Sequence, residues 1–278
     1  MSYNESYEKH MDIFVNNFFV NGARNYIRKT TEDAPWLSMG IMENTNPEMF
    51  YSCRLFRGMN IFGGSSCSLG HGLIHGYLKN KEEQFIKKSI ANLNALPAGE
   101  IIFYHDESMC GIEHALHMGL KLKFRPISLL EWLIDTMEKH QNHISPLNST
   151  AAVQLPCSSC IGPDRNPLID KLFTMTGMTR VERHYDYSNR MCCGARGYYG
   201  LFTGDVWKDT DCADKMVQQN VNDAKSSGAN YIITLCPYCY SAIAPAAKEA
   251  GLIPLQIEGL VNKAIYGEIP DEGQVIIY

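Results

Sequence analysis

The chain has 278 residues, ten cysteines and a formal net charge of −5, with a pI near 6.0. An acidic balance argues against a nucleic-acid or anionic-membrane surface as the main partner, and no stretch approaches the ~20 apolar residues of a spanning helix. The opening "MSYNESYEKHMD" lacks the charged-then-apolar order of a signal peptide. A cytoplasmic protein is therefore expected, in which so many cysteines point to metal binding or redox catalysis rather than to a disulfide framework.

In chain order, residues 1–47 read as an N-terminal helical arm. Met11, Ile13, Phe14, Phe18 and Phe19 form a helical apolar pattern closed by Asn21-Gly22, and residues 30–47, with Pro35 and Pro47, read as a loop. From 48 onward strands and helices alternate. "MFYSC" reads as a strand, "KNKEEQFIKKSIANLNAL" as an amphipathic helix, "EIIFYH" as a strand, and "EHALHMGLK" and "SLLEWLIDTMEKH" as helices. After a linker, "QNHISPLNST", the order returns. "AAVQLPC", "RVERHYDY" and "NYIITL" are the expected strands, and "PLIDKLFTMTG", "DKMVQQNVNDAKSSG" and "SAIAPAAKEAG" the helices. Residues 85–104 align without a gap on residues 216–235, so that Ile86 meets Val217, Ile90 meets Val221 and Ile101-Ile102 meets Ile232-Ile233. The expected fold is α/β, with two related Rossmann-like domains of parallel sheet, 48–145 and 146–278, beside the arm.

Three cysteine groups follow strands in the second half: Cys157 with Cys160, Cys192-Cys193-Gly194, and Cys236-Pro-Tyr-Cys239. Adjacent cysteines do not readily bridge to one another, because disulfide geometry wants Cα atoms further apart than one trans peptide allows. In a parallel sheet the carboxyl ends of the strands lie side by side, so the three groups converge. Gathered thiolates favour zinc or iron–sulfur chemistry, and a set larger than the four ligands zinc needs favours a multi-iron cluster. "TLCPYC" followed by a helix also resembles a glutaredoxin active site. The 39 residues after Cys239 are too few to complete that fold, and it has no use for Cys192-Cys193.

The order Cys157, Cys192-Cys193-Gly194, Cys236-Pro-Tyr-Cys239 resembles the cysteine-rich "CCG" domain of the B-type heterodisulfide reductase chain and its relatives in lactate-utilisation, glycolate-oxidase and anaerobic glycerol-3-phosphate dehydrogenase systems. The resemblance implies a noncubane [4Fe-4S] cluster held by Cys157, Cys192, Cys193, Cys236 and Cys239. Gly194 would let the backbone approach the cluster. It further implies a cytoplasmic redox protein that takes electrons from an iron–sulfur (C-type) partner and a flavin (A-type) partner and reduces a small disulfide. Cys193, Arg196 and His184 are the catalytic candidates: Arg196 to hold an anionic substrate or offset cluster charge, His184 to donate a proton. The alternatives are a non-catalytic electron-transfer component of a quinone-linked dehydrogenase and a structural zinc module. Cys160 reads as a buried thiol or a spare ligand, and Cys212 as structural.

The first half departs from the doubled motif. Cys53 follows a strand, Cys67 stands alone, and "HDESMC" puts His105 and Cys110 where the second half has its CPYC. Cys53, Cys67, His105 and Cys110 are compatible with a Cys₃His zinc site, with His71 as an alternative ligand; the other reading is ordinary core thiols. His114 and His117 share a helix face with Cys110 and read as structural.

Overall fold

The computed structural model describes residues 26–40, 52–63, 69, 79–160, 162, 164–195, 198 and 209–271. The first half builds a five-stranded sheet from β1 (Tyr26–Arg28), β2 (Trp36–Gly40), β3 (Asn60–Gly63), β4 (Glu100–Phe103) and β5 (Arg125–Ser128), in the order β1-β3-β2-β4-β5. Only the pairing of β1 with β3 is antiparallel. The second half builds a fully parallel sheet from β6 (Ser149–Gln154), β7 (Met178–Arg180), β8 (Tyr231–Thr234) and β9 (Ile253–Gln256), in the order β7-β6-β8-β9.

Helices α1 (Lys79–Asn94), α2 (Asp106–His117) and α3 (Leu129–Lys139) cover the first sheet. Helices α4 (Asn166–Thr176), α5 (Thr210–Ser226), α6 (Pro237–Glu249) and α7 (Ile257–Tyr266) cover the second. The central strands β2 and β8 are buried along their whole length, as a sheet covered on both faces requires. One apolar core runs across both halves, from Leu37 and Leu133 to Ile169, Leu172 and Leu260, and α3 packs directly on α4. Among the described residues no helix is long and apolar enough to cross a membrane.

The repeat read from sequence is visible in the elements. Ile86 and Ile90 of α1 and Val217 and Val221 of α5 are buried at matching places, as are Ile101-Ile102 of β4 and Ile232-Ile233 of β8. Each strand then runs into a helix whose N-cap is the residue singled out by the alignment, His105 before α2 and Cys236 before α6.

Three expectations are corrected. Residues 30–47 are not simply a loop, because Trp36–Gly40 is a strand in the interior of the first sheet, paired with β3 and β4. With β1 it draws residues 26–40 out of the expected arm and into that sheet; the helix expected before Asn21 lies outside the described residues. Cys53 does not end a strand but caps a short 3₁₀ turn, Arg54–Phe56. "RVERHYDY" is strand only to Arg180. Its alternation comes from a polar network instead: Arg180 bonds Asp170 and Asp186, and the buried Arg183 donates to the Val153 carbonyl at 2.8 Å.

Candidate metal centre

Five thiols meet at the carboxyl end of the second sheet. Cys157 opens a 3₁₀ turn after β6, and Cys192 and Cys193 lie in the loop after β7. Cys236 caps α6 and Cys239 sits in its first turn. Cys193, Cys236 and Cys239 are buried, Cys157 is half-buried and Cys192 is exposed. Hydrogen-bond contacts join them in a chain, from Cys157 to Cys192, Cys192 to Cys193, Cys193 to Cys239, and Cys239 to Cys236. The adjacent pair is the middle link, with Cys192 turned to the β6 end and Cys193 to α6.

The thiols do not share charge evenly. The Cys239 thiol donates to Cys236 and, against the cost of burial, holds the Cys236 pKa well below the ordinary thiol value; His105 adds to this. Cys157, Cys193 and Cys239 are pushed up. Contact with Cys192 and burial raise Cys157, the bond to Cys192 and burial raise Cys193, and contacts with Cys193 and Cys236 raise Cys239. Cys236 lies at the N-terminus of α6, where the helix dipole also favours negative charge.

His105 brings the first half to this site. Burial disfavours its charge, but Glu107 and the Cys236 thiolate outweigh burial and raise its pKa to about 9. When neutral, the ring accepts the Glu107 N–H at Nδ1, 3.3 Å away, and caps α2; when protonated, it faces the Glu107 carboxylate, 3.7 Å away. Beside it the Tyr104 hydroxyl donates to Glu258 at 2.7 Å, across the two halves. Burial raises the Glu258 carboxyl to about 7, against the lowering effect of that bond.

A carboxyl whose pKa is higher in the folded chain loses stability as pH rises, because between 4.5 and about 7 the unfolded chain releases a proton the folded chain keeps. Over that range the wild type is expected to lose roughly 3 kcal/mol more than Glu258→Gln, measured by urea unfolding at each pH. Parallel pH profiles for the two proteins would refute the buried neutral carboxyl.

The donor set, five thiols from three chain segments, suits a thiolate-bound metal or iron–sulfur centre. Among the described residues, no three His, Cys, Asp or Glu side chains gather closely enough to hold a single ion. Among the described residues, buried polar atoms without hydrogen-bond partners flank them in the chain: Ser158 Oγ after Cys157 and Thr234 Oγ1 before Cys236. Sulfur ligands of a cluster commonly take hydrogen bonds from such groups.

Of the zinc set expected in the first half, Cys53, His105 and Cys110 are among the described residues. Cys53 Sγ lies 3.8 Å from Asn262 Oδ1, and His105 turns to Cys236. Cys110, pushed up to about 12 by burial and then by Asp106, has its Sγ against Gly162. Cys67 and His71 lie outside the described residues. His184 is exposed, its ring against Tyr185 and Asn189, and no thiol is among its described partners. Arg196 lies outside the described residues. Cys212 is exposed in the first turn of α5.

Gly194 is also required by a neighbouring helix. Its φ is +81°, and a Cβ there would sit 2.9 Å from the Ala213 carbonyl oxygen on α5. The backbone approaches a helix. That helix stitches down the whole loop: Asp223 accepts the His184 and Tyr185 N–H groups, and Asn220, one turn before it, donates to the Cys192 carbonyl at 2.9 Å. Sequence reading missed Asn220, Gln154 and Arg183. The available signal was an asparagine on the apolar stripe Ala213, Val217, Val221 and Ala224 of α5, where a buried amide needs partners.

The fold is similar to that of a solved hypothetical protein from Helicobacter pylori, with a TM-score of 0.65 and 12% identity over 96% of this chain. This chain spans 55% of the length of that protein. Looser similarities are a glutamate racemase, isoform RacE1, from Bacillus anthracis (TM-score 0.45, 10% identity, 88% of this chain and 86% of that one) and the Picrophilus torridus aspartate racemase (0.41, 8%, 84% and 94%). Residues 151–244, the stretch that supplies all five contacting thiols, match the model of the cysteine-rich domain family, CCG.

Proposed function

We propose that Cys157, Cys192, Cys193, Cys236 and Cys239 hold a noncubane [4Fe-4S] cluster, and that the chain is the B-type redox component of a heterodisulfide-reductase-like complex. The observation that carries this reading is the unbroken run of thiol contacts from three separate chain segments. The match to the cysteine-rich domain family, which occurs in iron–sulfur redox proteins, supports it. Such a cluster supplies one-electron redox chemistry and iron that takes up sulfur.

The chain's own residues divide the remaining work. Buried Cys193, Cys236 and Cys239 keep water from one side of the site, while exposed Cys192 marks the side open to a small disulfide. Opening that disulfide consumes two electrons, from iron–sulfur and flavin partner proteins, and two protons that end on the product thiols. The helix N-terminus at Cys236 and the His105 ring offset thiolate charge.

Iron, sulfide and EPR analysis of the anaerobically prepared wild type beside Cys193→Ser tests the reading. Iron and sulfide in the wild type, an EPR signal altered by added thiol, and loss of that signal in the variant are expected. Colourless, iron-free wild type would overturn it in favour of a zinc module, and a signal indifferent to thiols would leave an electron relay that makes no bond.

A further inference from the structure

We infer that Gln154 and Asn220 are positioning residues that set the Cys192-Cys193 pair as the link between β6 and α6. The inference rests on the five-thiol site proposed above but uses only protein geometry. Gln154, the last residue of β6, donates from Nε2 to the Met191 carbonyl at 2.9 Å and to the Leu155 carbonyl at 3.2 Å. Asn220, in the middle of α5, donates from Nδ2 to the Cys192 carbonyl at 2.9 Å and to the Met216 carbonyl at 3.0 Å. Both side chains are fully buried.

All four partners are backbone carbonyls, which only accept, so each amide has to present its NH₂ end. The orientation leaves Gln154 Oε1 and Asn220 Oδ1 buried with no hydrogen-bond partner. A buried polar atom left unpaired is a cost that folding alone gives no reason to retain. The two amides therefore act as donors aimed at successive carbonyls.

Those carbonyls belong to the peptide planes on either side of the Cys192 Cα. Fixing both planes fixes φ and ψ at Cys192, and with them the direction of the Cys192 side chain and the place of the Cys193 Cα beside it. The result is the observed division, in which Cys192 is exposed against Cys157 and Cys193 is buried against Cys239. Arg183 ties the two supports together, donating to the carbonyl of Asn220 at 3.2 Å and to that of Val153, the neighbour of Gln154, at 2.8 Å.

The test uses the metal-free chain, alkylated anaerobically with iodoacetamide and read by peptide mass spectrometry. Asn220→Leu and Gln154→Met are near in volume to the natural residues, remove the donors, and also remove the orphaned oxygens, so the fold tolerates them better than a truncation. In each variant the Cys193 labelling rate is expected to rise about tenfold relative to Cys239, the factor one lost hydrogen bond carries. Unchanged Cys193 labelling overturns the inference. So does a rise shared equally by Cys53, Cys236 and Cys239, because that is the mark of general loosening or unfolding. Iron analysis of the wild type is scored separately: iron-free protein defeats the proposed function, yet the labelling ratio still decides whether the two amides set the pair.

Discussion

Gly194→Ala is expected to lower the unfolding free energy by about 2–5 kcal/mol, from the left-handed backbone and from overpacking together. The alanine Cβ meets the Ala213 carbonyl oxygen at 2.9 Å and the Val217 side chain at 3.4 Å, so the loop has to lift from α5. Lifting it carries Cys193 away from Cys239 and interrupts the thiol chain at its middle. Gly228→Ala is the control. That glycine has φ +80° with nothing within 4 Å of the new Cβ, so it bears the backbone strain of about 1–2 kcal/mol alone. Urea unfolding of the two variants should separate them clearly, and metal content should fall only in the first. Equal losses would mean that the approach to α5 is not what requires glycine at 194.

Asp223→Ala is the second large effect, at about 3–5 kcal/mol, because it removes the carboxylate partner of a buried charge. The Arg183 side chain is completely buried, and its Nη1 lies 3.5 Å from Asp223 Oδ2. Burial pushes the Arg183 pKa down, and Asp186 and Asp223 work against that. The same carboxylate accepts the backbone N–H groups of His184, at 3.1 Å, and Tyr185, at 2.8 Å. Pairing Asp223→Ala with Arg183→Met should recover part of the lost stability, since the stranded charge is gone. A double variant less stable than the single one by the full cost of each would sink the ion-pair account and leave only the loop hydrogen bonds.

Both effects concern how a loop is held to a helix, which is where sequence reading was weakest. The alternating stretch "RVERHYDY" has the period of a strand, yet Arg180 bonds Asp186 and Asp170, Arg183 donates to backbone carbonyls, and the backbone leaves the sheet after Arg180. Trp36–Gly40 failed in the opposite sense. It is a short buried strand between a proline and a glycine, too brief for its apolar pattern to stand out from a loop. The first-half zinc set rested on residue types at spacings resembling the second half; of its described members, Cys53 lies against Asn262 and His105 against Cys236.

The sequence by itself determined the α/β alternation, the repeat of helix, turn and strand, and the five cysteines placed after strands. Each of these is a local property: hydrophobic period, turn chemistry, and the rule that a parallel sheet collects its strand ends on one side. Only the tertiary structure decided which thiol touches which, that Cys192 faces out while Cys193 faces in, and that a histidine from the first half joins a cysteine of the second. Those outcomes depend on buried donors such as Gln154, Asn220 and Arg183, whose partners are backbone carbonyls far away in the chain. A carbonyl has the same chemistry in every residue, so no pattern of side chains announces which one a buried amide will find.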